Sequence, residues 1–210
     1  MNMDPDEMKI RVIGDYNVGR RSLIIAVDRE FELDPDVFIN PGLVYSFLIK
    51  MKWDGTPYSV YIDMDPCAGE PEDIEMIRRM CYIMQDVFLV CFSTVIPESL
   101  ENVSKKWIPK IRDYCIHNRG LPFPIILLLV GTQIDLRQDR ATLDKLADKN
   151  QTPISSKVGA KVAKQIGAAK YVECSAMTKE GLQGVENIID QACYERLKHE
   201  ENKKKMCTIS

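Results

Sequence analysis

The residues best suited to chemistry lie near the N-terminus, in Gly14-Asp15-Tyr16-Asn17-Val18-Gly19-Arg20-Arg21-Ser22. Two glycines bracket four residues. An apolar run, Met8 to Ile13, precedes them, and a helix-like run, Leu23 to Val27, comes after. Strand, glycine-bracketed loop and helix form the setting of a phosphate-binding P-loop. The first backbone N–H groups of a helix are unsatisfied donors at the positive end of its dipole, so they attract anions. Glycine lets the backbone come close to them. The last two positions depart from the pattern, which asks for Lys and then Ser or Thr. Here Arg20 and Arg21 stand there, and the first hydroxyl is at Ser22. Alone, the stretch fits two readings: a nucleotide loop, or an ordinary strand-to-helix turn.

A second group favours the nucleotide loop. Gly131-Thr132-Gln133-Ile134-Asp135-Leu136 succeeds the apolar run Ile125 to Val130. A carboxylate such as Asp135, at the end of a parallel strand, accepts hydrogen bonds from guanine N1–H and N2–H₂; adenine offers no matching pair. Thr132 and Gln133 brace that loop. Later, Glu173-Cys174-Ser175-Ala176 ends another short strand, where the Ala176 N–H is available to guanine O6. The order and spacing of the three stretches make the combination specific to a guanine nucleotide.

The elements that must position these groups can be read from periodicity. Met8 to Ile13, Val87 to Phe92, Ile125 to Val130 and Tyr171 to Cys174 read as strands, the apolar runs being buried on both faces. Leu43 to Trp53 and Pro57 to Met64 read as a hairpin turning at Asp54-Gly55. Phe31 to Pro41 and Asp65 to Asp73 read as loops. A helix begins after Asp73, carrying Ile74, Ile77, Cys81 and Met84. Pro97 to Cys115 reads as one amphipathic helix, with Leu100, Val103, Trp107, Ile111 and Tyr114 on its buried stripe. Further helices are expected around Ala141 to Asp148, over Ser155 to Gln165 and over Glu180 to Leu197. Alternating strands and helices predict an α/β fold, with a mostly parallel sheet of about six strands and helices on both faces.

The chain has 210 residues, enough for one domain with a tail. Its net charge is −3, so no global basic field suggests nucleic acid. Seven cysteines stand singly, with no Cys-x-x-Cys pair. An odd, unpaired count fits reduced thiols inside a cell rather than a disulfide framework. No signal-peptide core opens the chain, and its longest apolar run is far short of a membrane span.

Several stretches together resemble the Rho family of small GTPases, within the Ras superfamily. They are Asp-Val-Phe-Leu-Val-Cys-Phe-Ser (86–93), Ser-Leu-Glu-Asn-Val (99–103), Lys-Trp-Ile-Pro (106–109), Leu-Val-Gly-Thr-Gln-Ile-Asp-Leu (129–136) and Tyr-Val-Glu-Cys-Ser-Ala (171–176). Within that family the likeness is to the Rac-like members. It implies a P-loop small-GTPase fold over residues 1–197, with a Rho-type insert helix at about 137–150 and a tail at 198–210. It implies GTP or GDP as ligand. The nucleotide would be held by residues 14–22, by Thr132, Gln133, Asp135, Leu136, Ser175 and Ala176, and by Phe31 packing on the base. Effector and regulator proteins are expected, with Pro41, Gly42, Leu43, Val44, Tyr45, Ser46 and Phe47 as the effector-facing segment.

The departures from the family fall where phosphate and Mg²⁺ bind. Arg20 keeps the lysine's charge on a planar group. Arg21 replaces the hydroxyl that would ligate Mg²⁺, and a guanidinium cannot ligate a metal. Gly42 stands where the family has its second Mg²⁺ ligand, a threonine. Glu70 stands at the glutamine that orients the attacking water. Tyr16 replaces a glycine beside which a regulator's arginine finger would enter. Mg²⁺ binding is therefore doubtful and hydrolysis is expected to be impaired.

The last residues, Lys203-Lys204-Lys205-Met206-Cys207-Thr208-Ile209-Ser210, fit a prenylation signal on Cys207 with a basic cluster beside it. One lipid chain holds weakly, and three lysines at an anionic leaflet strengthen it. The expectation is a lipid-anchored protein on the cytoplasmic face of membranes, acting on actin organisation, cell shape or vesicle traffic. The alternative is an interaction module of the same fold that binds no nucleotide.

Overall fold

The sheet is built from apolar runs that alternate their side chains between two cores. The computed structural model describes residues 7–31, 45–53, 56–65, 71–83, 85–116 and 125–207. Strands β1 (Glu7–Gly14), β2 (Tyr45–Trp53), β3 (Thr56–Met64), β4 (Val87–Ser93), β5 (Ile126–Thr132) and β6 (Lys170–Glu173) form one sheet in the order β2-β3-β1-β4-β5-β6. All neighbours run parallel except β2 and β3. Strand β4 shows the logic most clearly, because every residue in it is buried. Val87, Leu89 and Cys91 point into a core with helices α1 (Arg20–Phe31) and α7 (Leu182–Cys207). Phe88, Val90 and Phe92 point into the opposite core. That core also holds Tyr82 of α2 (Pro71–Tyr82) and residues of α3 (Pro97–Asn102), α4 (Ile108–Ile116) and α6 (Ser156–Ile166). Period-two alternation on a doubly covered sheet requires this split. The expected α/β class, six strands and helices on both faces are all present.

The structure corrects the sequence reading at five places. Phe31 is the last residue of α1, not the first of a loop. Helix α2 starts at Pro71 instead of after Asp73. Proline suits a first helical position, and Glu72 and Asp73 suit the positive end of the dipole. Strand β5 continues through Gly131 and Thr132, which pair with Phe92 and Ser93 of β4.

The helix expected over Pro97 to Cys115 is interrupted by a π-helical turn, Val103–Trp107, where the Ile108 N–H reaches back to the Val103 carbonyl. Pro109 gives the reason. It has no N–H, and its ring would strike the carbonyl four residues earlier in a regular α-helix, so the chain widens just before it. The stripe survives this change: Leu100, Val103, Trp107, Ile111 and Tyr114 are all buried. Finally, α7 runs to Cys207 rather than stopping at Leu197. Nothing after Leu197 breaks a helix, and acidic and basic residues recur at three- and four-residue steps. The helix thus crosses the expected junction between residues 197 and 198.

Register pairs Trp53 with Thr56, as a two-residue turn requires. Asp54-Gly55, Pro41, Gly42, Leu43, Val44 and Glu70, together with Thr208, Ile209 and Ser210, lie outside the described residues, as do the side chains of Phe31, Tyr45, Ser46, Phe47, Lys203, Lys204, Lys205 and Cys207. Five cysteines, at 81, 91, 115, 174 and 193, carry free thiols. No helix is long and apolar enough to cross a membrane among the described residues.

Candidate functional site

The carboxyl ends of β1, β3, β4, β5 and β6 open on one edge of the sheet, where open α/β sheets bind ligands. Gly14 ends β1 with φ +148°, and a Cβ there would lie 2.3 Å from the Cys91 carbonyl oxygen. No side chain fits, so the loop can turn this tightly only with glycine. Asn17 adopts a left-handed conformation, φ 60°, and Gly19 another, φ +80°. Helix α1 then begins at Arg20, with the Leu23 N–H bonded to the Gly19 carbonyl. A strand, a tight loop and a helix N-terminus are therefore in place.

The loop is braced by the second motif. Thr132 Oγ1 donates to the Phe92 carbonyl at 2.9 Å and lies 2.5 Å from the Val18 carbonyl. Gln133, also left-handed at φ 60°, donates from Nε2 to the Asn17 carbonyl at 3.3 Å. Its Oε1 accepts from the Ser93 hydroxyl at 2.5 Å. A left-handed glutamine costs about 1 kcal/mol or more, and such residues persist where their surroundings hold them. Here both ends of the side-chain amide are held.

Asp135 is the second residue of a short 3₁₀ turn, Ile134–Gln138, and the Ile134 N–H bonds to the Cys174 carbonyl at 3.4 Å. Ser175 is fully buried, and its hydroxyl accepts from the Met177 and Thr178 N–H groups at 3.1 and 3.0 Å, which fixes the turn that carries Ala176. Gly19, Ser22, Thr132, Asp135, Leu136 and Ala176 together line a cleft of about 420 Å³. The three stretches separated in sequence thus meet around one cavity of ligand size.

Around the rest of the loop the structure adds residues that sequence reasoning missed. Asp15 accepts from Asn102 Nδ2 at 2.7 Å, from Trp107 Nε1 at 3.0 Å and from Lys106 Nζ at 3.4 Å. The π turn therefore holds the phosphate loop from the side. Tyr16 is 74% exposed. Arg20 is buried and donates from Nη1 to the Asp65 carbonyl at 3.2 Å. Arg21 and Ser22 are exposed. The Asp65 carboxylate has no exposed surface: Arg78 Nε donates to Oδ2 at 2.7 Å and Tyr82 OH to Oδ1 at 3.0 Å. Burial and the Asp65 charge hold the Tyr82 phenol well above its usual range. Arg78 also lies 5.3 Å from the centre of the Trp107 ring. A second hollow of about 370 Å³ lies here, lined by Gly14, Tyr16, Arg20, Arg78, Trp107 and Lys110.

The described residues do not fit Mg²⁺. Hard cations need oxygen ligands with open lone pairs. Arg21 offers none, and Asp65 has both oxygens engaged within a buried ion pair. No cluster of three or more His, Cys, Asp or Glu suited to a metal occurs among the described residues. A nucleotide fits better: the backbone turns closely at Gly14 and Gly19, and Asp135 borders the cleft.

Fold and loop geometry together define a P-loop α/β protein with a cleft of ligand size beside the loop. A family model described as the Ras family matches residues 9–195, and the chain belongs to that family. Members bind GTP or GDP and act with regulator and effector partners, so this is a GTP-binding signalling domain of the small-GTPase fold.

Proposed function

We propose that this chain is a Rho-like, Rac-like, membrane-anchored signalling protein that holds a guanine nucleotide but lacks the usual Mg²⁺-assisted hydrolysis. One observation carries the reading: the Asp65 carboxylate is sealed by Arg78 and Tyr82 while the P-loop hydroxyl position is Arg21. The nucleotide would be held by the N–H groups of residues 14–22. Arg20 and Arg21 would supply positive charge near the phosphates, Asp135 would take the guanine edge, and Ser175 and Ala176 would complete the base site. Exposed Tyr16 would hinder an arginine finger, and Glu70 would serve poorly in place of the glutamine.

The Rho assignment is supported by the quoted motifs and by helix α5 (Arg140–Ala147), which lies between β5 and α6 where the Rho-type insert belongs. The Asp139 carboxylate caps it, accepting from the Thr142 N–H at 2.9 Å. Strand β2 is an edge strand, which suits residues 41–47 as an effector-facing segment. Cys207 would carry a prenyl group assisted by Lys203, Lys204 and Lys205. The protein would sit on the cytoplasmic face of membranes and act on actin organisation, cell shape or vesicle traffic.

Nucleotide content tests the reading. Purified protein is denatured, and the supernatant is resolved by ion exchange. Stoichiometric guanine nucleotide supports it; none leaves an interaction module in its place. Binding repeated with EDTA tests the metal: affinity should change little, and a collapse on chelation would sink the metal-independent part. Mass spectrometry of Cys207 from eukaryotic cells tests the anchor.

A further inference from the structure

Three side chains meet around Glu173. Arg137 donates from Nη1 to Oε2 at 2.7 Å and from Nη2 to Oε1 at 2.5 Å, a fork matched to the carboxylate. The Ser156 hydroxyl donates to Oε2 at 2.6 Å, and the Tyr171 hydroxyl donates to Oε1. Arg137 also donates from Nε to the Ile154 carbonyl at 2.9 Å. The fold makes room for this group. A Cβ on Gly159 would lie 2.0 Å from the Tyr171 hydroxyl, and one on Gly131 would lie 3.2 Å from Glu173 Cγ. Tyr171 stacks on Phe92 with ring centres 6.3 Å apart, which fixes the phenol from behind.

Its place in the chain gives the cluster a purpose. Arg137 sits in the same 3₁₀ turn as Asp135, two residues on. Glu173 ends β6, two residues before Ser175. The ion pair therefore joins the two loops that border the base cleft. The same segments share a backbone tie, the 3.4 Å bond from the Ile134 N–H to the Cys174 carbonyl. A bidentate pair restricts both distance and angle, whereas one long N–H bond leaves rotation.

We propose that Arg137 and Glu173 are positioning residues for base recognition: their forked pair sets the Asp135 carboxylate against the turn bearing Ala176. This rests on the guanine reading of the cleft. The pair also gathers both ends of the segment that carries α5, because Arg137 precedes it while Ser156 and the Ile154 carbonyl come after it.

Discrimination between guanine and hypoxanthine tests this, because hypoxanthine lacks the 2-amino group that Asp135 would take. Affinities for fluorescent GDP and IDP are measured on the full chain and on Arg137→Met, Arg137→Lys and Glu173→Gln. Arg140→Met, on exposed α5 outside the cluster, is the control. Discrimination should fall about tenfold in Arg137→Met, the scale of one hydrogen bond to a charged group. It should fall less in Arg137→Lys, which keeps the charge without the fork and is the milder variant should the others not fold. The control should match the unmodified chain.

Equal losses for GDP and IDP in the cluster variants would mark a merely structural role and overturn the proposal. So would unchanged discrimination. If the unmodified chain binds neither nucleotide, the guanine reading falls and the proposal with it; if it binds with full discrimination that the variants retain, the proposal alone falls.

Discussion

Arg78 Nε donates to Asp65 Oδ2 at 2.7 Å, and the carboxylate it meets has no exposed surface. Removing one partner of a buried pair strands the other, at a cost of about 3–5 kcal/mol. Arg78→Met should lower stability by about 3 kcal/mol, since Tyr82 still donates to Asp65. Asp65→Asn with Arg78→Met should recover much of that loss. Urea unfolding of the single and double variants measures both, and an additive double variant would contradict the pairing.

Trp107 binds Asp15 across 92 positions of chain. Phenylalanine keeps the buried ring and removes the N–H. Trp107→Phe should cost about 1.5–3 kcal/mol, the worth of a hydrogen bond to a charged group plus some lost packing. Hydrogen exchange should quicken in residues 14–19 more than in β5. Equal exchange in both would mean that the indole does not hold the loop.

Glu173 sets an acid limit. Burial alone would raise its carboxyl pKa, but hydrogen bonds from Arg137, Ser156 and Tyr171 outweigh burial and hold it below the ordinary 4.5. A depressed folded-state pKa means stability that is full above the unfolded value and lost as pH falls through the folded one. The melting temperature should therefore decline below about pH 4.5 partly through this group. In Glu173→Gln that part of the decline should disappear, while stability near neutrality is lower. Melting curves from acid to neutral pH compare them.

Burial pushes the Cys91 thiol far above its usual range, and burial pushes the Cys174 thiol up to about 12. Thiolates, not thiols, react with alkylating reagents. At about pH 8 neither residue should label until the protein unfolds, whereas half-buried Cys81 should label in the native state. Peptide mapping after brief alkylation reads each site separately.

The parts of the site legible in the sequence are those written in contiguous residues. Gly14 to Gly19, Thr132 to Asp135 and Ser175-Ala176 each declare a backbone conformation or a hydrogen-bonding group, and spacing places them at strand ends. The parts that escaped it depend on pairings across the fold. Trp107 reads as core from its stripe, and its 2% exposure agrees, yet nothing local points its N–H at Asp15. Arg137 reads only as the start of a charged stretch, because its partner is 36 residues on. Asp65 reads as a loop acid until α2 brings Arg78 and Tyr82 over it. The π turn had a local sign in Pro109, but apolar spacing outweighed it, since the widened turn keeps the same residues inside.

That turn sets how far the chain can vary in length here. A residue added to a helix rotates the remainder of the helix by about 100°. The Val103–Trp107 turn absorbs such an excess, so that Asn102, before it, and Trp107, at its end, face one carboxylate. A single-residue deletion between 103 and 106 would press the segment toward a regular α-helix, in which the Pro109 ring strikes the carbonyl four residues before it. The strain would fall on the hold that Asn102 and Trp107 share on Asp15. Length in this segment is a tuned quantity, and a shorter, straighter helix would be the poorer partner for the loop beside it.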